Sequence, residues 1–90
     1  MGYPISKVHV TSEFERVFRK LPANIQCLAE KKDKWFRQNS SDPRLHTHKL
    51  KGELEGYWSY SSNQKYRILF RFLKNNEVVY YDIGTHDIYK

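Results

Sequence analysis

Two histidines, an arginine and a tyrosine supply the residue types that proton transfer around a phosphate requires. His48 lies in the basic stretch His46-Thr47-His48-Lys49-Leu50-Lys51-Gly52, Arg67 in an alternating apolar run, and His86 and Tyr89 in Gly84-Thr85-His86-Asp87-Ile88-Tyr89. Imidazole titrates near neutrality and can both take and return a proton. Guanidinium keeps its charge, and its fork can hold two phosphate oxygens. A phenol can donate a proton or stack on a base. These types suit metal-free cleavage of RNA, in which the ribose 2′-hydroxyl attacks the neighbouring phosphate. That reaction needs a base for the hydroxyl, a cation for the charged intermediate state and an acid for the leaving oxygen.

No spacing among these residues is diagnostic by itself. His46 and His48 also fit a solvated loop or a two-residue-spaced metal pair. His86 equally fits a cap on a strand-end carbonyl, and Arg67 a cross-strand ion pair with Asp82. Lys49 and Lys51 fit a plain solvated loop, and Trp58 and Tyr60 fit core or half-core positions as well as stacking platforms.

The elements that must hold these residues follow from a chain of 90 residues, enough for one domain (1–90) with one core. Sixteen Lys and Arg against ten Asp and Glu give a net charge of +6, which favours polyanions but is also compatible with an acidic protein partner or simple solubility. Seven Tyr, five Phe and two Trp exceed what so small a core needs, which leaves rings for stacking on bases. Lone Cys27 excludes an internal disulfide and a cysteine zinc cage, and no cofactor or metal is expected. No run is apolar and long enough for a signal peptide or a membrane span, so the expected compartment is the cytoplasm, with no membrane partner.

Lys7 to Thr11 alternates weakly and reads as a first strand. Ser12-Glu13-Phe14-Glu15 fits a capping box opening a helix through Phe14, Val17, Phe18 and Leu21, which Pro22 stops. A second helix is expected from Ala23 to Gln38, with Ile25, Leu28, Ala29 and Phe36 inward and Trp35 on the flank. Asn39 to Gly52 reads as loop. Strands are expected at Tyr57–Ser61, Tyr66–Leu73 and Val78–Ile83, the last two joined by a hairpin turn at Lys74-Asn75-Asn76-Glu77. The fold class is therefore α+β: an N-terminal strand, a helical hairpin, then a three-stranded antiparallel meander, all in one sheet with the helices on one face. The other face would carry Arg67 and Arg71, where a polyanion can lie.

These segments resemble the RelE/ParE superfamily of bacterial type II toxin–antitoxin toxins, nearest its RelE and YafQ-like branch. The resemblance rests on Phe18-Arg19-Lys20-Leu21-Pro22, His48-Lys49-Leu50-Lys51-Gly52, Gly56-Tyr57-Trp58-Ser59-Tyr60, Tyr66-Arg67-Ile68-Leu69-Phe70 and the Gly84-Thr85-His86 ending. It implies a microbial-ribonuclease-like fold and cleavage of mRNA in the ribosomal A site. It also implies a cognate antitoxin that covers the basic surface, in a complex that can be a heterotetramer. Arg67 falls on the strand arginine that steadies the phosphate, His48 and His86 on the histidines that move protons, and Tyr89 near the C-terminal aromatic that assists. Lys49, Lys51 and Arg71 would hold backbone phosphates, and Trp58 and Tyr60 would stack on the codon. RelE-type members carry two lysines on the strand that reads Tyr57-Trp58-Ser59-Tyr60 here, so either the role of base passes to His48, with base and acid exchangeable between His48 and His86, or the chain is a weak or inactive relative. The alternatives that resemblance leaves open are a ParE-like poison of DNA gyrase and a non-toxic relative.

Overall fold

The computed structural model describes residues 4–63 and 65–85. The chain runs β1 (Lys7–Val10), α1 (Ser12–Arg19), α2 (Ala23–Gln38), β2 (His48–Lys49), β3 (Trp58–Ser61), β4 (Arg67–Phe72) and β5 (Glu77–Gly84), with 3₁₀ turns at Pro43–Leu45, Gly52–Leu54 and Lys74–Asn76. Five strands form one mixed sheet in the order β1-β5-β4-β3-β2. The meander β3-β4-β5 is antiparallel as expected, and β1 lies parallel against β5, Lys7 beside Glu77 through Val10 beside Tyr80.

Both helices pack on one sheet face. Phe14 of α1 meets the Tyr80 ring at 5.3 Å, and Phe36 of α2 stacks on Tyr60 at 4.5 Å and stands edge-on to Phe70 at 4.9 Å. With Ile68, Val78 and Ile83 these rings make the core, each large side chain worth roughly 1.5–3 kcal/mol when buried. A file of polar bonds crosses that core. Tyr80 donates to Asp33 Oδ1 at 2.6 Å, so the hydroxyl of Tyr60, 2.9 Å away, must donate to Tyr80, and Arg37 Nε closes on Asp33 Oδ2 at 2.8 Å. This file ties α2 to β3 and β5. Burial pushes the ionisation of both phenols well up, so both stay neutral donors.

Three local readings need correction. The cap of α1 is Thr11, one residue before the expected Ser12: its Oγ1 accepts from Phe14 N–H at 3.0 Å while its own hydroxyl donates to the Tyr81 carbonyl at 3.2 Å. Thr11 wins because it still belongs to the extended chain leaving β1 and bridges the two elements. Leu28 is 36% exposed rather than inward, since the inward arc of α2 runs through Ala29, Asp33 and Phe36. The segment 39–52 is not only loop: it contains β2 and the fully buried Leu45. The sheet therefore has five strands rather than four. The expected turn at 74–77 forms with Asn75 and Asn76 both left-handed (φ 62 and 60), the backbone a tight hairpin demands and asparagine tolerates.

Candidate active site

The alternation of β4 sends Ile68 and Phe70 into the core, and Arg67, Leu69 and Arg71 to the face without helices. Directly paired residues share a face, which sets out the rest of that surface in rows. One row is Ser61, Arg67 and Gly84; the next is His48, Ser59, Leu69 and Asp82. β2 therefore matters more than its two residues suggest. It fixes His48 on the same face as Arg67, two strands and one row away, a Cα separation of about 12 Å from ordinary sheet spacings. Two long side chains facing the same way can close around one ligand across that distance.

The state of His48 follows from its partner. Nδ1 lies 2.9 Å from the carbonyl oxygen of His46. A carbonyl only accepts, so Nδ1 carries the proton and the neutral ring keeps its lone pair on Nε2. A free Nε2 lone pair at an exposed sheet edge is what a general base requires. The carbonyl is aimed by a left-handed His46 (φ 53, ψ 40) that ends the 43–45 turn. That turn is itself fixed: Asp42 Oδ1 accepts from Arg44 N–H at 2.9 Å, Leu45 is buried, and Thr47 Oγ1 donates to the Ser40 carbonyl at 2.7 Å.

Arg67 is half-buried at the start of β4. Its Nη1 donates to the carbonyls of Asn63 and Tyr66 at 3.2 and 3.3 Å, and Asn63 Oδ1 in turn accepts from Tyr66 N–H at 2.7 Å. The side chain is thus held against the β3–β4 turn. It lines a cleft of about 490 Å³ together with Lys32, Arg44, His46, Ser61 and Asn63. The register places Asp82 opposite Leu69 and Gly84 opposite Arg67, so the cross-strand position expected for Asp82 is taken by glycine. Asp82 is half-buried near α1, and burial pushes its carboxyl up despite a bond from Ile83 N–H at 2.8 Å. His86 and Tyr89 lie outside the described residues.

The remaining expected contacts divide. Lys49 and Lys51 are exposed, but Lys49 pairs with Trp58 and so faces the helix side, opposite to His48. Arg71 is exposed on the Arg67 face, its guanidinium 5.4 Å over the Tyr57 ring, which meets Tyr81 edge-on at 5.3 Å. Tyr60 is a correction: at 0% exposure, stacked under Phe36, it is a core residue and cannot receive a base. Trp58 is half-buried on the helix face against Phe72 at 5.1 Å. The rings offered beside Arg71 are Tyr57 and Tyr81. The alternation that marked Trp58 and Tyr60 would have found Tyr57 one residue earlier, whereas Tyr81 stands at the register shift opposite Leu69 and Phe70, where alternation breaks. Lys32, Arg44 and Asn63 were also missed, being scattered over a helix and two loops. Among the described residues no three His, Cys, Asp or Glu are grouped to hold a metal ion, and no helix is long and apolar enough to cross a membrane.

No protein-family model matches the sequence, and no curated protein matches it. Solved structures do. The chain is similar to one in the toxin–antitoxin complex RelBE2 of Mycobacterium tuberculosis, with 24% identity over 96% of this chain and 93% of that one and a TM-score of 0.72. It is similar to one in the archaeal RelE–RelB complex of Pyrococcus horikoshii, with 13% identity over 94% and 96% and a TM-score of 0.71. YafQ of Escherichia coli is similar at 11% identity over 91% and 94%, with a TM-score of 0.66. The two helices and five-stranded mixed sheet are thus the fold of the RelE, YoeB and YafQ toxins of toxin–antitoxin systems.

Proposed function

We propose that this chain is a RelE/ParE-superfamily toxin of a toxin–antitoxin pair that cuts mRNA in the ribosomal A site. The observation that supports the reading is a fold shared with RelE and YafQ toxins whose open face brings the His48 imidazole to the same side as the Arg67 guanidinium. His48 Nε2 takes the 2′-hydroxyl proton as the oxygen attacks phosphorus. Arg67 carries the charge gathering on the phosphate oxygens. The bond from phosphorus to the 5′-oxygen breaks, and His86 returns a proton to that oxygen, with Tyr89 assisting. The products are a 2′,3′-cyclic phosphate and a 5′-hydroxyl, so protons balance without a metal. Arg71 supports the flanking backbone. Tyr57 and Tyr81, beside Arg71, are better placed than Trp58 to stack on a base. The partner is an antitoxin that covers this face, in a cytoplasmic complex for which a heterotetramer is one form.

The test is induction of the chain alone in bacteria, with mapping of mRNA 5′ ends. Cuts within translated frames, lost in His48→Ala, Arg67→Ala and His86→Ala proteins that still fold, are expected. Growth arrest without cuts and indifferent to both histidines would replace this reading with a gyrase poison. No arrest at all would leave a non-toxic relative.

A further inference from the structure

The cleft beside Arg67 extends onto α2, where the charges are arranged in an unusual way. The Arg44 guanidinium lies 3.6 Å from the centre of the Trp35 ring, Lys32 Nζ 4.9 Å and Lys31 Nζ 5.5 Å. One indole thus gathers three cations, which repel one another and are offset only in part by its electron-rich face. Asp42 grips Arg44 through Nε at 3.0 Å and Nη2 at 2.7 Å, which fixes the guanidinium in place. Among the described residues that line it, Lys32, Arg44, His46, Ser61, Asn63 and Arg67, none is a carboxylate; Asp42 stands behind Arg44 and offsets part of its charge, while Lys32 and Arg67 add theirs. The volume of about 490 Å³ falls in the range of small-ligand pockets, about 300–1,000 Å³. Its lining offers cations and hydrogen-bonding groups but no large aliphatic anchor of the kind a protein side chain would need.

We propose that this cleft binds the sugar–phosphate backbone of single-stranded RNA next to the bond being cut, with Lys32 and Arg44 as its phosphate contacts. This deepens the nuclease reading, since Arg67 is shared by the cleft and the reacting face. The strand would pass from the open sheet face, around the end of β3 and β4, onto α2. Lys32 and Arg44 then set how far the RNA is held beyond the reacting phosphate, while the chemistry stays with the residues already named.

A short single-stranded 2′-O-methyl oligoribonucleotide, which has no nucleophile and cannot be cut, isolates binding from cleavage. Its affinity is measured by fluorescence anisotropy over a range of salt. Each phosphate contact contributes about 0.7 to the slope of log K against log salt on single strands, so Lys32→Ala/Arg44→Ala lowers that slope by about 1.4. Lys20→Ala/Lys74→Ala, which removes the same charge away from the cleft, leaves the slope unchanged. Lys32→Glu leaves the Asp42–Arg44 pair intact and guards against misfolding; it also weakens binding. Equal slopes for the cleft and control variants overturn the proposal. So does unchanged oligonucleotide binding together with lost binding of polyglutamate, which would make the cleft a site for an acidic protein. Cleft-dependent binding without mRNA cuts in cells would refute the nuclease and leave the cleft standing. Cuts in cells with unaltered slopes would do the reverse.

Discussion

Tyr80→Phe tests the polar file through the core, because one hydroxyl there both gives and receives. Tyr80 donates to Asp33 at 2.6 Å and accepts from Tyr60 at 2.9 Å, and Tyr60 has no exposed surface. Removing the oxygen forfeits a bond to a carboxylate, worth about 1.5–3 kcal/mol, and strands a buried donor at about 1–3 kcal/mol. The Asp33 side chain keeps 23% exposure and its bond from Arg37, so water replaces part of the first loss. The net destabilisation should be roughly 2–4 kcal/mol, or a fall in Tm on the order of 10–25 °C for a domain this size. Tyr60→Phe removes only a donor and should cost about 0.5–1.5 kcal/mol. In the Tyr80→Phe background the same change removes the stranded group, so the double variant should be more stable than Tyr80→Phe alone. Equilibrium urea unfolding of all four proteins, with m-values checked for constancy, measures the cycle. A Tyr80→Phe protein within about 0.5 kcal/mol of the parent, or strictly additive single effects, would refute the directional chain.

Leu45→Ala should cost about 2–5 kcal/mol in the same unfolding experiment, because a fully buried side chain would leave a cavity under a supposed loop. Burial raises the folded-state pKa of Asp82 above its unfolded value, so its contribution is most favourable below about pH 4 and is lost as pH rises through the folded value. Asp82→Asn, which keeps an acceptor for Ile83 N–H, should therefore stabilise at neutral pH, with the gain vanishing towards pH 4 in unfolding curves taken across pH. His46→Val should disfavour the left-handed backbone and release His48, mixing its tautomers in ring ¹⁵N spectra, whereas His46→Gly should preserve Nδ1–H.

The parts of this fold legible in the sequence are those where one local rule decides. Pro22 and the loop residues after Gln38 bound α2 at the residues expected, and the alternation around Arg67 correctly divides Ile68 and Phe70 from Leu69 and Arg71. What was not legible depends on distant partners. β2 is two residues long and too short to alternate; it is a strand only because Ser59 and Trp58 accept it. Leu45 is one apolar residue without a period, and its burial is set by the core above it. Tyr60 stood on the correct face, but its role depended on Phe36 covering it from another element. The cleft draws on α2, the 42–46 turn and the β3–β4 turn, so no window of sequence contains it.

The parallel seam between β1 and β5 joins residues such as Lys7 and Glu77, 70 positions apart in the manner of Thr11 and Tyr81, whose side-chain bond continues it. Closing a span of that length costs about 2.5 kcal/mol more entropy than closing the tight turn between β4 and β5. The meander can therefore assemble early and alone, while β1 must wait for it. When β1 arrives it brings Thr11, and with Thr11 the fastened start of α1. The order in which the molecule is built thus runs against the order in which it is written. Its first strand completes the sheet last, and native-state hydrogen exchange should find that same strand the first to leave.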